Sequence, residues 1–175
     1  MMISRIAYRS RQFRNTLLGP RKHIPSETLL PYLTPVQLSL FQRMQASEQA
    51  HAYQIFKHLV TAGQTNPDLL AASLLHDVGK TLHPLSIFDR VIIVLGQRLF
   101  QDAARRWAEG AARGLRLPFV VAAQHAEWGA DLASQAGASS QTVELIRQHQ
   151  DPHLPNPGSQ TEHLLAALQA ADAEN

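Results

Sequence analysis

The sequence predicts a single all-α domain. Apolar residues recur at the three- and four-residue spacing of a buried helix face throughout the chain of 175 residues, while the alternation typical of strands is rare. The apolar share of 45% and the charged share of 17% are those of a folded globular protein. A chain of this length is long enough for one domain with a sizeable core, but it is too short for two comfortable domains. Signals that begin and end helices divide the chain further.

A basic arm is expected at residues 1–33, ahead of a helical domain at residues 34–175. Its basic side chains all lie before residue 23, where no acidic residue accompanies them: Arg5, Arg9, Arg11, Arg14, Arg21 and Lys22. Such an arm can contact nucleic acid or an anionic membrane. We favour a solvated terminus, in which a short extra helix could form, over contact with nucleic acid or a membrane. Nucleic acid is therefore not an expected partner.

Three helices are predicted in the first half of the domain, each with a capping residue at its start. They are residues 34–44 with Thr34 as cap and Pro35 at the first position, residues 47–63 with Ser47 as cap and Gly63 at the end, and the helix capped by Asn66 and opened by Pro67. The last of these runs into the sequence ASLLHDVGKT, in which a histidine and an aspartate end an apolar stretch.

The second half of the chain predicts four or five helices. Residues 85–114 form one long helix or two short ones broken near Gly96 or Gly110, and further helices cover residues 118–136, 140–149 and 159–173. The final helix begins at Ser159, with Glu162 completing a capping box. The apolar run at residues 91–95 suits either the core or a dimer interface. Arginines follow it, and a solvated face is favoured over a basic rim that guides an anionic substrate: Arg98, Arg105, Arg106, Arg113 and Arg116.

The composition of the chain excludes several kinds of functional site and indicates where the protein is located. The chain has no cysteine, so disulfides, thiolate metal sites and cysteine nucleophiles are excluded. The N-terminus has no apolar stretch of the kind a secretory signal needs, and the most apolar run, residues 90–100, is far shorter than a membrane span. We therefore expect a soluble cytoplasmic protein.

Ionisable residues interrupt the apolar stripes of several helices. Each of these residues lies three, four or seven positions along the chain from an apolar residue of the same predicted helix. They are His51, His76, Asp77, His125, His149 and Asp172. A buried histidine or carboxylate is costly unless it is paired, and each one alone is explained by a hydrogen bond in the core. Together, they favour a metal site on which imidazoles and carboxylates converge. His76 and Asp77 can serve the same ions if the site lies over the end of their helix, with Asp77 bridging two metals.

The ordered set of a histidine, a His–Asp doublet and a late aspartate resembles the HD superfamily of metal-dependent phosphohydrolases. Here these are His51, His76–Asp77 in the sequence HDVGK, and Asp172 in AADAEN. The resemblance implies that Gly79 provides a turn and that Lys80 binds substrate phosphate. It covers residues 47–175, and it has no counterpart at residues 85–117.

Two further segments are similar to those of HD proteins that hold two metals. QHAEWGADLASQAG and TVELIRQHQ place His125 and His149 as the additional ligands of a six-ligand dinuclear site. The Gly-Tyr-Pro motif and the second of the paired histidines of cyclic di-GMP phosphodiesterases are missing, which argues against that substrate. The same ligand set occurs in HD-type diadenosine tetraphosphate hydrolases and in mixed-valent di-iron oxygenases.

The resemblance implies a phosphohydrolase that cleaves a phosphoester or phosphoanhydride of a nucleotide-type or other small anionic substrate. Two divalent metal ions, iron or manganese, would activate a bridging hydroxide, with Asp77 and Lys80 as catalytic residues. Two alternatives stay open: a mixed-valent di-iron oxygenase, and a non-catalytic nucleotide-binding module. A homo-oligomer is compatible with the apolar run at residues 91–95. Glu127 and Asp151 are interpreted as surface carboxylates, and His83, His153 and Trp128 as residues that could line the site.

Overall fold

The computed structural model describes residues 24–110, 112–151 and 158–174, and every regular element in these ranges is helical. The α-helices in chain order are α1 (Ser26–Leu29), α2 (Pro35–Arg43), α3 (Ala46–Thr61), α4 (Pro67–Leu75), α5 (Ile87–Leu99), α6 (Gln101–Ala108), α7 (Leu117–Gln135), α8 (Ser140–Gln148) and α9 (Gln160–Glu174). Short 3-10 helices cover Val78–Leu82 and Gly114–Arg116. The predicted all-α class is confirmed. None of these helices is long and apolar enough to cross a membrane.

The core lies among α3, α4, α7, α8 and α9, which pack on one another as a bundle. Helix α4 is its centre, because every residue from Leu69 to Leu75 is buried. Its neighbours contribute fully buried aliphatic side chains that close around it: Ile55, Leu145, Ile146, Leu165 and Leu168. Burying such side chains contributes about 1.5–3 kcal/mol each relative to leaving them exposed. The polar residues of α4's C-terminal end are therefore held against a rigid apolar framework.

The capping signals account for most of the helix starts. Thr34 caps α2 through a capping box with Gln37, and the side chain of Asn66 accepts a hydrogen bond from the Leu69 amide at the start of α4. Gly63 and Gly137 follow α3 and α7 with φ values of 81° and 74°, a conformation that glycine adopts at low cost.

Two of the predicted helix boundaries are wrong. Helix α3 is capped by Gln45 and not by Ser47, because Gln45 and Glu48 form a reciprocal capping box two residues earlier. The break in the region 85–114 lies at Phe100, between α5 and α6. Gly96 is an interior residue of α5, where a Cβ atom would come within 2.5 Å of the Phe119 ring. The glycine therefore permits close packing of α5 on α7 and does not end the helix.

Part of the predicted arm is packed on the domain. Within residues 24–33, α1 forms a single turn, and Leu29 and Leu33 are buried in the core. The ring of Tyr32 lies 4.7 Å from that of Phe56 on α3 in an edge-on contact. The basic residues of the arm, Arg5 to Lys22, and His153 lie outside the described residues.

Candidate metal centre

The His–Asp doublet lies where α4 ends. His76 is the C-terminal cap of α4, and Asp77 precedes the 3-10 helix Val78–Leu82. Both side chains are buried. Because the backbone leaves the α-helical path at this point, the two neighbouring side chains are directed into the same space despite the roughly 100° turn that separates adjacent residues in an α-helix.

The structure brings all six sequence-predicted ligands together. They form two adjoining groups of three, within each of which the possible ligand atoms lie within 4.8 Å of one another: His51, His76 and Asp172 in the first, and Asp77, His125 and His149 in the second. The second group is fully buried, whereas His51 and Asp172 lie at the partly exposed rim. Both side chains still reach into the first group, where His51 Nε2 lies 2.9 Å from Asp172 Oδ1 and the His51 ring lies 5.6 Å from that of His76.

The two groups are linked through Asp77 and through a row of imidazoles. One oxygen of Asp77, Oδ1, lies 3.2 Å from His125 Nε2, and the other, Oδ2, lies 3.7 Å from His76 Nε2. The ring of His149 lies between those of His76 and His125, at centroid distances of 5.1 and 5.3 Å. The carboxylate therefore presents one oxygen to each group, which is the arrangement that a bridging ligand requires.

Three of the histidines are oriented by backbone carbonyls. The Nδ1 atoms of His76, His125 and His149 lie 2.7–3.0 Å from the carbonyl oxygens of Ser73, Val121 and Ile146, respectively. A carbonyl can only accept, so each Nδ1 donates its proton and each Nε2 carries a lone pair. This is the orientation that metal-binding histidines adopt, with the second nitrogen fixed by a backbone acceptor.

The donor set fits a cation. Among the described residues, Nε2 of His76 and Nε2 of His125 are buried atoms without a hydrogen-bond partner, although His125 Nε2 is only 3.2 Å from a carboxylate oxygen. Lone pairs that face a carboxylate at this distance repel it, and unpaired buried polar atoms are costly. A metal ion between these atoms removes both penalties, and nitrogen and oxygen ligands suit divalent transition metals.

The electrostatics keep His76 and His149 neutral and keep Asp77 and Asp172 ionised. Burial lowers the pKa of His76, and burial together with neighbouring His76 lowers the pKa of His149 to about 3. Burial alone would raise the pKa of Asp77, but the pKa lies well below its usual range, and the ammonium group of Lys80 is the strongest influence that lowers it. Burial also opposes ionisation of Asp172, whose pKa is nevertheless lowered to about 2, chiefly by the hydrogen bond with His51. These are the protonation states in which the side chains bind metals.

Lys80 lies at the edge of the group. Its ammonium nitrogen is 2.6 Å from Asp77 Oδ2, and its side chain is about one-quarter exposed at 23%. One turn further, the ring of His83 contacts Trp128 at a centroid distance of 5.4 Å. Trp128 itself follows His125 by three residues on α7. Lys80 and the aromatic pair are thus carried by the same two elements that carry Asp77 and His125, namely α7 and the 3-10 helix with its two capping residues.

The two additional carboxylates considered from the sequence lie at the surface. Glu127 is exposed and accepts hydrogen bonds from Arg147, with Nε–Oε1 at 3.1 Å, and Asp151 is exposed at the end of α8. The surface interpretation fits both residues.

The sequence did not reveal a buried ion pair behind the site. Glu48, one turn before His51 on α3, is 3% exposed and accepts a hydrogen bond of 3.0 Å from Arg90 of α5. The same guanidinium nitrogen donates to the side chain of Gln45 at 2.9 Å. Burial raises the pKa of Glu48, and the nearby cations Lys80 and Arg90 offset this only in part. Glu48 lies on the inward stripe of α3 with Ala52 and Ile55. This position in the sequence is what could have indicated that its carboxylate is buried.

Replacing Arg90 with alanine is expected to destabilise the protein by about 2–3 kcal/mol, because Glu48 would stay buried without its charged partner. Urea unfolding in the presence of a chelator measures this cost without a contribution from metal. Adding Glu48→Gln to the variant is expected to recover part of the loss, and Arg43→Ala, at an exposed position of α2, serves as the matched control. Equal stability of Arg90→Ala and the control would contradict the importance of the ion pair.

Comparison with known proteins gives one match. A sequence model of the HD domain family matches residues 44–174, which is most of the described structure and includes all six candidate ligands. Neither curated proteins nor solved structures give a match.

Proposed function

Because the chain belongs to the HD domain family, part of a superfamily of metal-dependent phosphohydrolases, we propose that it hydrolyses a phosphoester or phosphoanhydride of a small anionic substrate. The observation that carries this proposal is the pair of adjoining ligand groups joined by Asp77. Each group offers three donors, and we assign one divalent cation to each. Iron and manganese suit such a set of imidazoles and carboxylates without thiolates.

The two groups of candidate ligands differ in how deeply they are buried. His125, His149 and Asp77 would hold one cation at the buried side, and His51, His76 and Asp172 would hold the other nearer to the rim. When bound, such divalent cations lower the pKa of a water and offset the negative charge of a phosphoryl group. The apolar core around α4 keeps bulk water away from the buried side of the centre, which strengthens these electrostatic effects.

Lys80 is the residue that we assign to substrate phosphate. Its ammonium group lies beside Asp77 and is partly exposed, so an incoming phosphate would meet it at the edge of the centre. With Asp77 engaged by metal, the lysine is free to pair with a substrate oxygen, where it stabilises charge that develops during hydrolysis. A fixed cation suits a phosphorylated substrate better than a neutral one, and this favours hydrolysis over the oxygenase alternative.

The aromatic pair supports a nucleotide-type substrate. His83 follows Lys80 by one turn and contacts Trp128, and both side chains are partly exposed. Planar rings beside a phosphate-binding cation can stack on a nucleobase, an interaction that tolerates any base. We therefore place the base against His83 and Trp128 and the phosphate at Lys80.

The test combines metal content with turnover. The protein reconstituted with iron or manganese is expected to contain two ions per chain and to hydrolyse bis(p-nitrophenyl) phosphate. His51→Ala and His149→Ala, one from each group, are each expected to lose one ion and most of the turnover. His58→Ala is the matched control, because His58 is a partly exposed residue of α3 that pairs with Glu174 at 3.5 Å.

Three results would overturn the proposal. Two ions without turnover of any phosphodiester or nucleotide, but with tight nucleotide binding, would indicate a binding module. Substrate consumption that requires iron and oxygen would indicate an oxygenase. Loss of metal in His58→Ala equal to the loss in His149→Ala would place the ions elsewhere.

A further inference from the structure

Helix α5 presents its apolar face to solvent. Seven of its large apolar side chains are between 37% and 64% exposed, or 80% in the case of Phe88: Ile87, Phe88, Val91, Ile92, Val94, Leu95 and Leu99. At about 100° per residue, these positions share one side of the helix. The opposite side contacts the domain through Gly96, which packs against Phe119, and through the ion pair of Arg90 with Glu48. The sequence pattern suited residues 91–95 to either the core or a dimer interface. In the structure, this apolar run lies outside the core.

Large apolar side chains are also exposed in the segments that follow α5. Phe100, at the junction with α6, is 62% exposed, and Leu115 in the following 3-10 helix is 89% exposed. Trp107 at the end of α6 is partly exposed while its ring contacts Phe119. We call the surface formed by α5, α6 and residues 112–116 the hairpin surface. Exposed large apolar side chains in this number within one segment of the chain indicate an interaction site.

Exposed arginines accompany the apolar side chains of the hairpin surface. They are Arg98, Arg105, Arg106, Arg113 and Arg116. Arg98 lies on the apolar side of α5 itself. Viewed down the helix axis, at about 100° per residue, it falls between Val94 and Val91. An amphipathic helical unit with aromatic and aliphatic residues on one side and arginines beside them is the pattern of helices that lie in the plane of a membrane interface.

The charge of the chain is segregated in the same way. Residues 87–117 contain six arginines and three acidic residues, and residues 1–23 contain six basic residues and no acidic one. The remaining residues, which include the metal centre, contain four basic and eleven acidic side chains. The net charge of +2 therefore conceals a basic hairpin surface on an acidic domain. A partner of the hairpin surface should be apolar in part and negatively charged.

We propose that the hairpin surface binds an anionic lipid bilayer, with the apolar side of α5 inserted among the lipid headgroups and the arginines paired with lipid phosphates. A second copy of the chain is a poorer occupant, because a two-fold contact would place each arginine of the surface against the same basic surface. An anionic bilayer complements both the charge and the apolar area. Each basic residue near such a surface raises affinity about fivefold, from about 1 kcal/mol per residue at 1.4 kcal/mol for each tenfold change.

The experiment is flotation of the full metal-loaded chain with lipid vesicles. Vesicles of phosphatidylcholine and phosphatidylglycerol in equal parts are expected to carry the protein, vesicles of phosphatidylcholine alone are not, and added salt is expected to weaken the binding. Phe88→Ser with Leu99→Ser is expected to reduce binding more than tenfold, and Arg98→Gln with Arg105→Gln to reduce it about twenty-five-fold.

Matched controls separate the hairpin surface from general effects. Val36→Ser with Val60→Ser removes exposed apolar residues of α2 and α3, and Arg43→Gln removes an exposed charge of α2. These controls are expected to bind vesicles like the parent protein. All variants are expected to retain their metal content, because none replaces a candidate ligand, so failure of the phosphohydrolase proposal would leave this test intact.

Specific results would overturn the proposal. Binding that is absent, that is equal for both vesicle compositions, or that persists in the hairpin variants would exclude this surface as the membrane contact, and persistence would assign binding to the basic arm. A parent protein that is dimeric in light scattering, becomes monomeric in Phe88→Ser with Leu99→Ser, and does not bind vesicles would show that the surface joins two copies of the chain.

Discussion

Asp77→Asn is expected to lose metal binding and more than about a hundredfold of phosphodiester turnover, while the metal-free protein stays folded. Among the described residues, Asp77 is the one whose two oxygens face both ligand groups, at 3.2 Å from His125 Nε2 and 3.7 Å from His76 Nε2. Substituting residues that merely orient metal ligands costs about 10–100-fold in affinity or activity, so loss of the shared ligand should cost more. The amide has the same shape but no charge to hold a cation.

The effect on the metal-free protein should be small. In that state, Asp77 is a buried carboxylate that pairs with Lys80, and losing one partner of a pair is strongly destabilising only where the remaining charge stays buried. Lys80 is partly exposed, so its ammonium group can reach water when the partner is replaced. The amide nitrogen of asparagine can donate to a histidine Nε2 that otherwise lacks a partner. The loss of function would thus not reflect unfolding.

Thermal unfolding with and without metal makes this distinction measurable. Binding at a free metal concentration one hundred times the dissociation constant stabilises a folded protein by about 2.7 kcal/mol per site. The parent protein is expected to show this stabilisation and Asp77→Asn to lose most of it, with metal content measured on the same samples. Asp131→Asn, which replaces an exposed carboxylate of α7, is the control. If Asp77→Asn still bound two ions, Asp77 would not be a bridging ligand.

The sequence was a good guide to which residues face the centre, because that information is local. His76, His125 and His149 interrupt apolar stripes, and the helical spacing alone places them on inward faces. Caps such as Thr34 and Asn66 are equally local, since each accepts a hydrogen bond from an amide three residues away. The division of the six residues into two groups depended on how α3, α7, α8 and α9 are arranged around α4, which no local pattern contains.

Features that depend on distant residues were missed for the same reason. Arg90 pairs with Glu48 across 42 residues of chain, and neither position marks the other in the sequence. Ser47 was the better intrinsic N-cap, but Gln45 and Glu48 form a capping box that is also tied to α5 through Arg90. The apolar run of α5 has the composition of a core helix. The packing of Gly96 on Phe119 and the ion pair of Arg90 with Glu48 determine which side of α5 faces the domain.

Gly79→Ala is expected to destabilise the protein by about 3 kcal/mol or more and to disrupt the metal centre at the same time. The 3-10 helix that follows Asp77 lies directly on the backbone of α7, and a Cβ atom at Gly79 would come within 2.0 Å of the His125 carbonyl oxygen and 2.7 Å of the Gly129 amide nitrogen. Backbone atoms of a packed helix cannot move aside as a flexible side chain can. The 3-10 helix would have to shift away from α7.

Such a shift would separate the two halves of the buried ligand group. Asp77 and Lys80 belong to the segment that must move, whereas His125 belongs to α7, against which the added methyl group presses. The variant is therefore expected to lose metal even under conditions where it is still folded. Urea unfolding in chelator measures the stability, and metal content at low temperature, where the folded state is populated, measures the centre.

Gly96→Ala is the matched comparison, because its Cβ would also meet a neighbour at 2.5 Å, but that neighbour is the side-chain ring of Phe119. The ring can turn, and alanine gains about 1 kcal/mol over glycine in a helix interior, so the net change should be within about 1 kcal/mol. Similar losses in both variants would mean that the contact between the 3-10 helix and α7 is not rigid. In that case the position of Asp77 beside His125 would depend on the metal itself, and not on the backbone contact at Gly79.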